Sequence, residues 1–217
     1  MKTLFTMNRK RDVFLSIVLS LFIISLAICF TVFFKQLYYF DIEFLNISKN
    51  TGLSSSLLKT NYDILIQYQS LFYRGDLYLP NFPMSEFGRI HFVEVKRIFE
   101  IIQILCITTG LISLFMIFKN IKDKEYRYLR LTSILTVGLP TILGMLASID
   151  FNKAFIIFHK IFFRNDYWIF DATTDPIIMA LPETFFMHCF MLIILLILLG
   201  STVCYAIYRK KRQDILA

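Results

Sequence analysis

Four apolar runs, each long enough to cross a bilayer, restrict the fold of this chain more than any other feature. Residues 13–34 supply 22 positions without a charge, and residues 98–118 supply 21 with Glu100 in the first turn. Residues 131–149 supply 19 without a charge, and residues 185–208 supply 24 with His188 near the start. A hydrocarbon core takes about 20 residues of helix. No water is present there to satisfy the backbone, so each run must pair its own N–H and C=O groups and is read as helix. A membrane strand would alternate in polarity, which these runs do not. The chain is 57% hydrophobic and 18% charged, against roughly 25% charged in a soluble domain. That excludes a disordered chain, a collagen-like chain and a small disulfide scaffold. The expected fold is an all-α membrane protein with four transmembrane helices.

Charge placement sets the orientation. Of the 23 Lys and Arg residues, 13 fall within the 33 positions of residues 1–12, 119–130 and 209–217. The positive-inside rule puts these three stretches in the cytoplasm, beginning with Lys2 and Arg9. The plan is then a cytoplasmic N-terminus (1–12), spans at 13–34, 98–118, 131–149 and 185–208, a cytoplasmic loop (119–130) and a cytoplasmic C-terminus (209–217). Segments 35–97 and 150–184 lie outside. This bias accounts for the net charge of +7, so nucleic acid is not an implied partner. The N-terminal run resembles a signal peptide, and Leu26-Ala27-Ile28-Cys29 resembles a lipobox. Ile28 is too bulky before the cysteine and the run continues to Phe34, so it is read as an uncleaved helix of a multi-pass cell-membrane protein.

The outer segments hold 20 of the 36 aromatic residues. Rings of this kind favour the headgroup zone, which predicts an extracellular aromatic-rich cap against the membrane. Residues 54–72 read as an amphipathic helix with Ser54 as N-cap and Leu57, Leu58, Leu65, Ile66 and Leu71 apolar. Leu79-Pro80-Asn81-Phe82-Pro83 reads as a turn. Ser85 then caps a helix that starts near Glu86 and runs on into the second span. Residues 37–47 suit either a strand or a helix. In 152–164, with Asn152 as cap, Phe151, Phe155, Phe158 and Phe162 share one face, while Lys153, Lys160 and Arg164 share another. That is the pattern of a helix lying in the interface, with His159 at the edge of the aromatic face.

Two of the three histidines, His91 and His159, belong to the outer boundary from different elements, and histidine suits proton transfer near neutral pH. Glu94, three residues after His91, is placed to orient its imidazole. Arg89, Lys96 and Arg97 suit headgroup or phosphate contacts. His188 suits a hydrogen bond between helices. The stretch Arg164–Asp171 sets polar groups beside rings, with Asn165, Asp166, Tyr167 and Trp168 as candidates for building a pocket. Asp175 and Glu183 suit capping of the helical runs that follow them. No acidic spacing matches a standard metal motif, and the four cysteines, each inside an apolar run, read as buried hydrophobes. There is no HExxH, GxSxG or P-loop. The residues alone leave three readings open: an acyltransferase, a membrane hydrolase of lipid or peptide, and a non-catalytic sensor or assembly protein.

The blocks His91-Phe92-Val93-Glu94-Val95-Lys96, Phe158-His159-Lys160-Ile161-Phe162-Phe163-Arg164-Asn165-Asp166-Tyr167-Trp168, Thr174-Asp175-Pro176-Ile177-Ile178 and Leu181-Pro182-Glu183-Thr184-Phe185-Phe186 resemble a bacterial membrane family, the lipoprotein intramolecular transacylases, Lit. The resemblance covers the length, the four spans and both outer connections. It implies an outer-leaflet enzyme whose partner is a diacylated lipoprotein with a free N-terminal cysteine amine. The sn-2 acyl chain moves to that amine and leaves a lyso-form lipoprotein. It implies catalytic roles for His91 and His159, in either order. For that chemistry Arg89, Asn165 and Tyr167 are the candidate substrate or oxyanion contacts, and no metal, nucleotide or acyl carrier is required.

Overall fold

A computed structural model describes residues 9–216, so Lys2 and the start of the basic N-terminus lie outside the described residues. Among these residues every regular element is helical. They are α1 (Arg9–Phe33), α2 (Lys35–Phe44), α3 (Ile47–Thr51), α4 (Ser55–Tyr68), α5 (Glu86–Lys122), α6 (Arg127–Ile149), α7 (Phe151–Phe162), α8 (Ile177–Ala180) and α9 (Glu183–Leu216). Three of them are long and apolar enough to cross a membrane, over Lys10–Phe33, Glu86–Lys122 and Glu183–Asp214. In the second, the charge-free stretch begins only after Glu100. The apolar run 131–149 is also helical, inside α6, which carries Pro140.

The chain divides into two compact units. Among the described residues one comprises 9–29, Gln103–Met145 and 193–216, and the other comprises Phe30–Ile102 and Leu146–Leu192. In the first, Leu15, Leu19, Tyr128, Leu129 and Cys204 form a buried cluster. Its hydroxyls turn onto backbone carbonyls: Ser16 Oγ lies 3.2 Å from Tyr128 O, and Ser201 Oγ donates to Ser133 O at 2.9 Å. The Ser16 proton goes to Asp12 O at 2.6 Å, so the bond that fixes one helix against another in this apolar surrounding is that of Ser201. Arg11 pairs with Asp123 at 3.0 Å and Glu125 at 3.3 Å, tying the start of α1 to the basic loop.

The second unit is built on rings. Tyr38 stacks on Tyr62 at 3.9 Å, and both meet Phe185 edge-on. Tyr38 also donates its hydroxyl to Ala180 O at 3.0 Å. Residues 37–44 prove helical, within α2, whose buried positions Tyr38, Asp41 and Ile42 follow the i, i+3, i+4 spacing; Leu45 and Asn46 form a turn before α3. Ser54 caps α4 as expected, accepting from Leu57 N. The helix is shorter than its pattern suggested: it ends at Tyr68, Leu57 is exposed and Leu71 falls beyond it. Its end is held by Lys96, whose ammonium donates to the carbonyls of Tyr68, Ser70 and Tyr73 and lies over the Tyr68 ring. A cation at that place answers carbonyls left unpaired at a helix C-terminus.

Two caps are reassigned. Asp175 does not cap the helix that follows it: its Oδ1 accepts from Ser85 N at 2.8 Å, at the start of α5. Ser85 in turn accepts from Gly88 N at 3.0 Å, which is the capping role expected of it. Gly88 must remain glycine for this approach, since a Cβ there would lie 2.2 Å from Asp175 Oδ1. On α7 the cap is Asp150, accepting from Lys153 N at 3.0 Å, while Asn152 donates to Glu183 at 2.8 Å. The aromatic face of α7 also divides. Phe151 and Phe155 turn to Phe190 and Phe186, whereas Phe158 and Phe162 stay exposed beside Ile157 and Ile161.

Candidate active site

His91 sits two turns into α5 and His159 on α7, and both are buried, at 7% and 8% exposure. Their ring centroids are 6.0 Å apart. Rings close the space around them. Phe163 meets His91 edge-on at 4.7 Å and lies 5.6 Å from His159. Phe170 meets His91 edge-on at 5.5 Å, and Trp168 stacks over His159 at 4.7 Å. The chain folds this way because α7 stops at Phe162. Phe163 then goes extended, donating its N–H to His159 O at 2.8 Å. The segment beyond it is pinned to the start of α5 through Asp175, so Trp168 and Phe170 are carried back over the histidines.

Hydrogen bonding fixes the tautomer of one imidazole. His159 Nδ1 lies 2.8 Å from Phe155 O. A carbonyl only accepts, so Nδ1 carries the proton and Nε2 presents a lone pair. Burial pushes the His91 imidazole down to about 4, and neighbouring His159 adds to the shift. Burial also lowers His159, against an upward pull from the Phe155 carbonyl. Both rings are therefore neutral near pH 7. His91 Nδ1, Trp168 Nε1 and Glu94 Oε2 are all buried without a hydrogen-bond partner. Buried polar atoms are otherwise almost always bonded. Such unpaired atoms are candidates for contact with the polar atoms of a ligand.

The remaining sequence candidates separate into those that join the site and those that do not. Glu94 does not orient His91: its Oε1 accepts from Asn165 Nδ2 at 2.9 Å. The i+3 spacing brings the carboxylate to the same face, but the ring has turned into the aromatic box instead. Asn165 is held in turn by Tyr167 N, which donates to its Oδ1 at 3.1 Å. The Tyr167 ring stacks on Phe87 at 4.6 Å, so it props the segment rather than facing the histidines. Arg89 and Asp166 are exposed, and neither side chain has a polar contact among the described residues. His188 bonds across to α2, its Nδ1 lying 2.9 Å from both oxygens of Asp41. Sequence reasoning missed Phe170 as a wall of the site and Phe155 as the acceptor that sets the tautomer. The four-residue step from Phe155 to His159 was the available signal for the second. Among the described residues no group of His, Cys, Asp and Glu is arranged to hold a metal ion.

The sequence model of the family described as lipoprotein intramolecular transacylase Lit matches residues 13–186. Among solved structures, the membrane-integral lipoprotein intramolecular transacylase Lit from Bacillus cereus is similar, with TM-score 0.94 and 42% identity over 97% of this chain and 99% of that one. A form of the same protein with one histidine replaced by arginine gives TM-score 0.87 and 43% identity, over 96% and 93% of the two chains. A form with a histidine replaced by alanine gives 0.89 and 41%, over 100% of both. No curated protein matches the chain. With most of its length matched by the family model and its fold shared with a solved relative at this identity, the chain belongs to the lipoprotein intramolecular transacylase family, Lit.

Proposed function

We propose that the chain transfers the sn-2 acyl group of a diacylglyceryl lipoprotein to the amine of its N-terminal cysteine, giving a lyso-form lipoprotein. The observation that carries this is the buried imidazole pair, 6.0 Å apart, with one lone pair fixed at His159 Nε2. A cysteine amine has a reference pKa of about 7.7–8.0, so much of it is protonated at neutral pH. The ammonium first gives one proton to solvent; the amine nitrogen then attacks the ester carbonyl carbon while His159 Nε2 takes a second proton from it. A ring N–H of His91 and the indole N–H of Trp168 meet the carbonyl oxygen as negative charge develops there. The glyceryl C–O bond breaks, and the His159 imidazolium returns its proton to the glyceryl oxygen. An amide replaces an ester and one proton is left in solvent, so the reaction balances without a cofactor. Holding both reacting groups of one molecule in line can supply about 7–11 kcal/mol of the barrier. The ring box excludes water, which would otherwise compete for the ester.

The membrane arrangement follows the same reading. Four spans place both termini in the cytoplasm and the site on the outer-leaflet side, within reach of membrane lipids and of a lipid-anchored substrate. Clustering of basic residues at the termini and in 119–130 supports this orientation. The exposed apolar surface of α7 at Ile157, Phe158, Ile161 and Phe162 supports an aromatic cap that rests on lipid.

Purified protein, a synthetic dipalmitoyl lipopeptide and mass spectrometry test the reaction. The expected result is a product of unchanged mass with a blocked amine. Loss of one fatty acid would identify a hydrolase instead, and no change at all would favour a sensor or assembly role. The pH profile is a second test. Lowered histidine pKa values mean that the neutral rings persist to more acid pH than a free imidazole would. The rate should therefore rise about tenfold per pH unit up to the amine pKa near 8, with no further break near the ordinary histidine value. An acid limb from His91 belongs near its pKa of about 4. Folding stability falls over that acid range too, because the unfolded chain takes up histidine protons first.

A further inference from the structure

Glu94 is the charged group beside the histidine pair that the reaction above leaves unused. It lies three residues along α5 from His91, about 4.5 Å in axial rise and on the same face. Its Oε1 is occupied by Asn165, and its Oε2 is buried with no donor. A carboxylate only accepts, and burying one without a cation is costly. The nearby basic side chains are otherwise placed. Lys96 serves the carbonyls at the end of α4 and pairs with Glu100 at 3.7 Å, and Arg89, Arg97 and Arg164 are exposed. Asn165 also fixes where Glu94 points, because a backbone N–H within its own turn anchors its amide oxygen.

We infer that Glu94, aimed by Asn165, is the subsite for the substrate's α-amino group, and that it sorts free-amine lipoproteins from N-acylated ones. This rests on the transacylase reading above. An ammonium brings the positive charge and N–H donors that Oε2 lacks. Once one proton has left for solvent, the amine still has two N–H groups. His159 takes one as the C–N bond forms, and the other stays on Glu94, which turns the nitrogen lone pair towards the ester. Acyl transfer then replaces a charged amine by a neutral secondary amide with a single N–H. The carboxylate loses its cation, and the product loses its hold at the moment it forms. Glu94 thereby favours entry of the diacylated form and release of the rearranged one.

The test separates recognition from chemistry by using dialkyl ether analogues of the lipopeptide, which cannot transfer an acyl group. Their binding is measured by titration calorimetry in detergent, with a free amine and with an N-acetylated amine. The natural protein should prefer the free amine by about tenfold or more, the range of a charge-assisted hydrogen bond. In Glu94→Gln the preference should fall to about twofold or less, through weaker binding of the free amine alone. Unchanged affinity for the N-acetyl form shows in the same experiment that the variant is folded. Asn165→Ala should lose part of the preference in the same direction. A Glu94→Gln protein that keeps the full preference, or that weakens both ligands equally, overturns the assignment. Because the analogues do not react, the binding result is independent of turnover. Hydrolysis of the ester lipopeptide would remove the transacylase reading and leave the amine preference standing.

Discussion

Replacing His159 with alanine is expected to slow acyl transfer by about 10²–10⁴-fold, the range for loss of a positioned general base. His159 is the imidazole whose tautomer is set by the fold, since Phe155 O holds the proton at Nδ1 and leaves the Nε2 lone pair for the base role proposed above. His91 has no such fixed acceptor, and its Nδ1 is buried without a partner. Its truncation removes a donor to the carbonyl oxygen, so His91→Ala should also be severely impaired. Groups that act as a unit are not additive, and the double variant should be hardly worse than His159→Ala alone. Binding of an unreactive ether lipopeptide should change little in either single variant, which separates a defect in chemistry from one in docking. Single-turnover rates read by mass spectrometry make the comparison. Full turnover in His159→Ala together with a dead His91→Ala would remove His159 from the reaction and leave His91 as the base.

What the sequence disclosed follows the range of the forces involved. The long helices were legible because lipid leaves the backbone no alternative to its own hydrogen bonds. Ser54 and Ser85 were legible as caps because their partners lie three residues away. Asp175 was misplaced because its partner lies 90 residues away, and no local pattern encodes that distance. Asn152 was misplaced as a cap because α7 already includes it and Asp150 holds the capping position; its amide donates to Glu183 instead. The histidine pair was legible as two residues of the right chemistry at a shared depth. Its 6.0 Å closeness was not, because it depends on Phe163 leaving α7 extended and on Asp175 drawing the following segment back. Glu94 shows the limit most clearly. Spacing along the helix put it on the face of His91, but only the packed loop reveals that Asn165 takes one of its oxygens.

The second large effect concerns stability, at a pair remote from the reaction. Asp41 is fully buried, and both of its oxygens lie 2.9 Å from His188 Nδ1. The carboxylate can only accept, so the imidazole is the donor. His188→Ala strands that carboxylate in an apolar setting beside Phe44, where water is a poor substitute. Breaking a buried pair from one side costs about 3–5 kcal/mol. For a chain of this size each kcal/mol corresponds to about 2–4 °C in Tm, so a drop near 10 °C is expected in detergent. Removing both partners tells whether the pair itself stabilises or merely cancels its own desolvation. Asp41→Leu with His188→Phe should recover most of the loss, since apolar residues of similar volume often replace buried pairs without penalty. The same clamp bears on the active site. It joins α2, which carries Tyr38, to the start of α9, where Phe186 packs 5.5 Å from Phe155. Phe155 supplies the carbonyl that sets the His159 tautomer. His188→Ala should therefore lose activity on warming before it unfolds, while the apolar double replacement holds its activity. An unchanged melting midpoint in His188→Ala would mean that the pair contributes nothing net and that α2 is anchored by its other contacts, such as Tyr38 to Ala180 and Lys35 to Asp63.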